Sequence, residues 1–157
     1  IGMLAGEFHF SDRSFDRWNG YKKCLKEHQI FYDADLLVQT GYGLEEGKEG
    51  FKRLFSKGNR PSAVFCSNDI LAIGAIEGAR QIGLKVPNDV SIIGFDNMQI
   101  SSFVSPTLST ISQPTYEMGR MGAEVLINRL EKKIQEPVNR FLDIKVVERG
   151  STSKKDS

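Results

Sequence analysis

Apolar positions along this chain change period several times, and each change marks an element. Short apolar runs at residues 1–5, 35–39, 63–66 and 90–94 have strand length. Between them, apolar residues recur at helical spacing. Phe15, Trp18, Tyr21 and Leu25 form one stripe in residues 14–28, and Phe51, Leu54 and Phe55 form another in residues 47–57. A third helix is expected over residues 70–82. Four strands separated by three helices imply a parallel sheet with right-handed crossovers, an α/β architecture.

Local chemistry supports these boundaries. Asn68 or Asp69 can cap the third helix, and Gly83 follows its last turn, where a left-handed residue commonly stops a helix. Pro87-Asn88-Asp89 is turn chemistry before the fourth strand. After residue 96 the pattern changes. Residues 97–107 form a polar connection, and 108–112 a short strand. Residues 115–133 form a long helix with Tyr116, Met121, Val125, Leu126 and Leu130 on its apolar stripe, and 141–147 a closing strand. Gly74, Gly78, Gly119 and Gly122 sit inside helices, each at about 1 kcal/mol relative to alanine. Two readings account for them: close packing within the chain, or a helix at a subunit interface.

Composition narrows the function. With 21 basic and 20 acidic residues the net charge is +1, so nothing electrostatic points to nucleic acid or an anionic membrane as a partner of these residues. No apolar run approaches the roughly 20 residues that span a bilayer. Cys24 and Cys66 read as two buried, reduced thiols rather than a disulfide. His9 and His28 lack a metal-ligand cluster, and no nucleophile is paired with a base. The chain is therefore expected to be neither an enzyme nor the holder of a metal or cofactor.

In an open α/β sheet, ligands bind beyond the carboxyl ends of the strands. That rule selects Gly6-Glu7-Phe8, Thr40 to Gly43, Ser67-Asn68-Asp69 and Phe95-Asp96-Asn97, with Arg17 reaching the same rim. A guanidinium, an amide, carboxylates and aromatic rings suit a small polyhydroxylated ligand. Each residue also has a plainer reading. Asn68 can simply cap a helix, and Asp69 can serve the helix dipole. Asp96 and Asn97 can be turn residues, Arg17 a salt-bridged helix residue, and Tyr42 a surface aromatic.

Five motifs in order then carry a family resemblance. They are Arg17-x-x-Gly20-Tyr21, the run from Pro61 to Asp69, the run from Val86 to Asp96, Leu108-Ser109-Thr110-Ile111-Ser112-Gln113-Pro114, and Glu148-Arg149-Gly150-Ser151-Thr152. Together they resemble the lactose-repressor/galactose-repressor family of transcription regulators, from the first strand to Thr152. The resemblance implies a doubly wound fold like the type I periplasmic sugar-binding proteins, in which a cleft separates two subdomains. Residues 1–96 and 134–152 would form most of the C-terminal subdomain. Residues 97–133 would cross into the N-terminal one, and 153–157 would be a disordered tail. The family's effector contacts fall on Arg17, Tyr42, Asn68 and Asp96, with Gln113 added by resemblance alone. Its dimer contacts would involve Ala72, Ile76, Ala79, Phe103 and Val104.

The resemblance also implies a cytoplasmic homodimer whose partners are a sugar-like effector and operator DNA. Contact with DNA would run through a helix-turn-helix headpiece that these 157 residues lack. The last helix would then lack the sheet it covers in the family, and its stripe would drive self-association. The competing reading is a periplasmic-type sugar-binding protein that serves a transporter.

Overall fold

The computed structural model describes residues 1–131, 133, 136–137 and 139–154. Its strands are β1 (Gly2–Gly6), β2 (Leu37–Thr40), β3 (Ala63–Cys66), β4 (Ser91–Phe95), β5 (Ser109–Ser112) and β6 (Lys145–Val147). Its helices are α1 (Asp12–Glu27), α2 (Leu44–Ser56), α3 (Asp69–Gln81) and α4 (Thr115–Leu130). One six-stranded sheet runs in the order β2-β1-β3-β4-β5-β6, with only β6 antiparallel.

Alternation along the strands divides the core into two layers. Leu4, Val64, Cys66 and Ile92 face α2 and α3, where Phe51, Leu54, Leu71 and Ala75 complete one cluster. Met3 and Ala5 point the other way, against Tyr21 and Leu25 of α1. All five β1 residues are buried, as an inner strand of a doubly wound parallel sheet requires. On the α1 side, Phe65, Ile93, Phe95 and Ile111 line an apolar hollow of about 680 Å³.

Helix boundaries follow the expected chemistry. Asn68 Oδ1 accepts a hydrogen bond from the Leu71 amide at 2.7 Å and caps α3. Gly83 follows that helix with φ 79°. Helix α2 starts earlier than its apolar stripe suggests, at Leu44, because Glu45 and Glu46 suit the positive end of a helix dipole.

The helix glycines divide into two kinds. Gly47 of α2 and Gly74 and Gly78 of α3 lie where the two helices touch backbone to backbone. A Cβ at Gly74 would run into the Leu44 carbonyl oxygen, and one at Gly78 into that of Lys48. Their use is thus packing within the chain, helix on helix. Gly119 and Gly122 of α4 face open space. The same substitution should therefore act with opposite sign at the two places. Gly74→Ala should lose about 1–3 kcal/mol through overpacking, and Gly119→Ala should gain about 0.5–1 kcal/mol from helix propensity. Urea titration of the two variants checks this.

Three expectations need correction. The strand assigned beyond the crossover, β5, pairs in parallel with β4, so it extends the same sheet. Residues 97–107 stay with this sheet, bonded to Asp69 through Met98 and Ser101 and packed on the α2/α3 cluster through Val104, and the chain leaves it only after Gln113, into α4, which has no buried residue. Short polar-flanked strands carry no local sign of their neighbour, which explains the misplacement. The closing strand is also shorter than its apolar run: Phe141 is exposed, and β6 covers three residues. Last, Cys24 is exposed while Cys66 is buried. Of the expected tail, Ser153 is hydrogen-bonded to Ser91 and Pro87, and residues 155–157 lie outside the described residues.

Candidate functional site

Five parallel strands bring Gly6, Thr40, Cys66, Phe95 and Ser112 to one rim of the sheet. Arg17, in the second turn of α1, reaches over this rim. Its Nη1 donates to the Ser67 carbonyl at 2.6 Å, and its guanidinium carbon lies 3.8 Å above the centre of the Phe95 ring. Its Nη2 is 3.5 Å from Asp96 Oδ1, a long ion pair. Gln113 Nε2 donates to the same oxygen at 2.6 Å. Both contacts fall on Oδ1, so among the described residues Asp96 Oδ2 accepts no protein hydrogen bond.

Burial sets the electrostatics of the pair. Desolvation raises the Asp96 carboxyl above the usual range, against the opposing pull of Arg17 and Gln113. Desolvation likewise lowers the Arg17 guanidinium, with Asp96 working the other way. Arg13 acts on both groups, which puts it close to the site. Asp96 and Asn97 hold φ values of 111° and 52°. Such conformations are uncommon outside glycine and persist only where neighbours over-determine them.

Tyr42 sits at the other end of the rim. Its ring lies over Gly6, where a Cβ would clash with it, and its hydroxyl meets Ser14 Oγ at 3.2 Å. Phe15 of α1 is exposed and packs edge-on to Phe8, with ring centres 5.9 Å apart. Asn68 spends its oxygen on the α3 cap, and its Nδ2 makes no hydrogen bond among the described residues. Arg17, Asp96 and Gln113 are thus joined in one network, while Tyr42 and Asn68 stand apart from it on the same rim. The arrangement presents a carboxylate oxygen, an amide donor and an aromatic face, and it aligns no nucleophile with a base.

Local spacing did not reveal two features: how Gln113, named by resemblance, reaches the rim, and what Asp69 holds. Gln113 reaches the rim because β5 is parallel to β4, a pairing no local signal announces. Asp69 is fully buried. Its Oδ1 accepts from Thr110 Oγ1 at 2.5 Å, and its Oδ2 from Ser101 Oγ at 2.6 Å and the Met98 amide at 2.7 Å. It sits in the first turn of α3, where its charge suits the helix dipole, and it also anchors the Asp96 turn from below. The dimer candidates also divide. Ala72 and Ala79 have no exposed surface and belong to the core, so they cannot meet a partner. Ile76 and Val104 are partly buried against that core, and Phe103 is exposed.

The chain is similar to known proteins along nearly all of its length. The periplasmic binding protein-like domain family matches residues 1–152. The HTH-type transcriptional repressor CytR of Escherichia coli (strain K12) is 37% identical over 152 residues, 97% of this chain and 44% of that protein. The HTH-type transcriptional repressor PurR of Yersinia enterocolitica is 36% identical over 153 residues, 98% of this chain and 45% of that protein. Among solved structures, the Escherichia coli transcriptional repressor ascG superposes with a TM-score of 0.88 at 33% identity, over 96% of this chain and 54% of that one. The transcriptional regulator CelR, in complex with cellobiose, gives 0.90 at 27% identity over 96% and 46%. The chain spans under half the length of the curated relatives it matches. By sequence and fold together, this chain belongs to the lactose-repressor/galactose-repressor family and forms part of its periplasmic-binding-protein-like effector domain.

Proposed function

We propose that this chain senses a small polyhydroxylated effector for a cytoplasmic transcription regulator. The observation that carries the reading is the Arg17–Asp96–Gln113 network at the carboxyl rim of the sheet. It holds a carboxylate in place while leaving Oδ2 open to a ligand hydroxyl. Arg17, Tyr42, Asn68, Asp96 and Gln113 form one wall of the cleft. Residues 1–113 and 144–152 make up this subdomain, and α4 begins the facing one. The exposed stripe of α4, including Leu126 and Leu130, is then the surface that packs there.

In this reading the effector acts by binding two subdomain arrangements with different affinity. Closure changes the spacing of paired headpieces, and so the affinity for operator DNA. The regulator is a homodimer and not an enzyme, with Ile76, Phe103 and Val104 at the subunit contact. Transport is the lesser alternative, because CytR, PurR and ascG are all transcriptional repressors by name.

The test is a thermal-shift screen of the full-length protein against D-ribose, cellobiose and cytidine. One of these should raise the midpoint, be recovered chemically unchanged, and lose its effect in Arg17→Ala. A shift that survives Arg17→Ala, or recovery of an altered compound, overturns the reading.

A further inference from the structure

The Asp96–Asn97 turn is held from a direction that the effector site does not explain. Asn97 makes three side-chain-mediated contacts. Its amide donates to Thr110 Oγ1 at 3.2 Å, and its Nδ2 to Ser112 Oγ at 3.2 Å. Its Oδ1 accepts from Arg149 Nη2 at 2.8 Å, the shortest of the three and the one that involves a formal charge.

Arg149 lies two residues beyond β6, on chain that has returned to the sheet after α4. Its Nη1 donates to the Leu108 carbonyl at 2.7 Å, and its backbone amide to Ser109 Oγ at 2.8 Å. The guanidinium therefore bridges the two ends of the segment that links β4 to β5: Asn97 at its start and Leu108 at its end. Ser151 locks the same return segment further along. Its Oγ donates to the Ile92 carbonyl at 2.6 Å and accepts from the Ser109 amide at 2.8 Å. Arg149 makes no contact with Arg17, Asp96 or Gln113 themselves.

Two adjacent non-glycine residues at positive φ need outside support to stay there. Asp69 supplies it below the turn, through Met98 and Thr110. On the Asn97 side chain the charged support comes from Arg149. Planar geometry matters here, because one guanidinium serves two acceptors in fixed directions and an ammonium cannot.

We propose that Arg149 is a positioning residue for the effector site: by holding Asn97 it fixes the turn that aims the Asp96 carboxylate. The return segment after β6 is thereby coupled to the ligand-facing rim. This rests on the reading of Asp96 as an effector contact, and the experiment separates the two.

Crystal structures of the ligand-free full-length protein would be solved for Arg149→Met, Arg149→Lys and Asn97→Gly. Glycine removes the acceptor at residue 97 without strain, since it adopts positive φ freely. In all three, the Asp96 carboxylate should turn away and the Gln113 contact at 2.6 Å should open. Calorimetric titration with D-ribose, cellobiose and cytidine would then be run well below the unfolding temperature. Whichever of these binds the parent should bind each single variant roughly tenfold more weakly, the size of one misplaced charge-assisted hydrogen bond. The double variant Arg149→Met/Asn97→Gly should lose clearly less than the sum of the two single losses, because the two side chains share the Arg149–Asn97 contact.

Asp96 and Gln113 superposing on the parent overturns the proposal. So does additive loss in the double variant, or unchanged affinity. If Arg149→Met fails to fold, Asn97→Gly decides both arms. If none of the three compounds binds the parent, the ligand-free geometry still decides the positioning role, and only the effector reading fails.

Discussion

Asp96→Ala in the full-length protein should weaken effector binding by about 2–3 kcal/mol, on the order of a hundredfold, and abolish the effector response. Asp96 is partly exposed on the rim, and its two partners keep other anchors or lie at the surface. Arg17 retains the Ser67 carbonyl and the Phe95 ring. The sheet should therefore survive while the ligand loses its carboxylate. Asp96→Asn separates charge from shape and keeps a residue that tolerates positive φ.

The raised carboxyl value adds a pH signature. A ligand hydroxyl donating to Asp96 needs the charged form. Affinity should fall on the acid side above the ordinary aspartate range of about 4, and that limb should vanish in Asp96→Asn. The sign for stability is the reverse of the usual carboxylate. With its folded value raised, Asp96 favours the fold below the ordinary range, and that contribution is lost as pH rises through the raised value. Asp96→Asn should thus lose the response without losing stability at neutral pH. Calorimetric titration across about pH 4 to 7, with unfolding followed in parallel, checks both. An Asp96→Ala protein with parental affinity would remove Asp96 from the site.

The second large effect should come from a residue that touches no ligand. Asp69→Ala should destabilise the domain by about 3–5 kcal/mol. The side chain has no exposed surface, and it accepts from two hydroxyls and one amide. Removing it leaves the Met98 amide and the Thr110 and Ser101 hydroxyls without their acceptor, and a cavity beside Gly94. Asp69→Asn keeps the volume but sets a donor against donors, so its loss should be smaller and still measurable. Urea unfolding of the two variants gives the comparison. A loss below about 1 kcal/mol for the alanine variant would mean the network is dispensable.

How much of this was legible in the sequence varied by residue, for physical reasons. The rim residues Arg17, Tyr42, Asn68 and Asp96 follow from strand ends, because a parallel sheet collects its carboxyl ends on one side whatever the strand order. Gln113 came only through resemblance, since reaching it from residues requires knowing that β5 pairs with β4. Asn68 was legible in one role, as a cap, because capping involves residues three apart. Asp69, next to it, was legible at the start of the helix but not as an anchor. Its partners lie 29 to 41 residues away and leave no trace in local spacing. Ala72 and Ala79 share a helix with Ile76, and the resemblance named all three as dimer contacts. Only the assembled core shows that two of them are sealed inside.

The order and type of the elements were determined by the sequence alone. The period of apolar residues and the chemistry of caps and turns act over a few residues, where backbone geometry is set. Tertiary structure alone decided which strand neighbours β5, where the chain departs for α4, and that Asp69 and Arg149 grip the Asp96 turn from two sides. Those outcomes depend on contacts between segments 13 to 52 residues apart. Such contacts exist only once the sheet has assembled, and no local pattern encodes them.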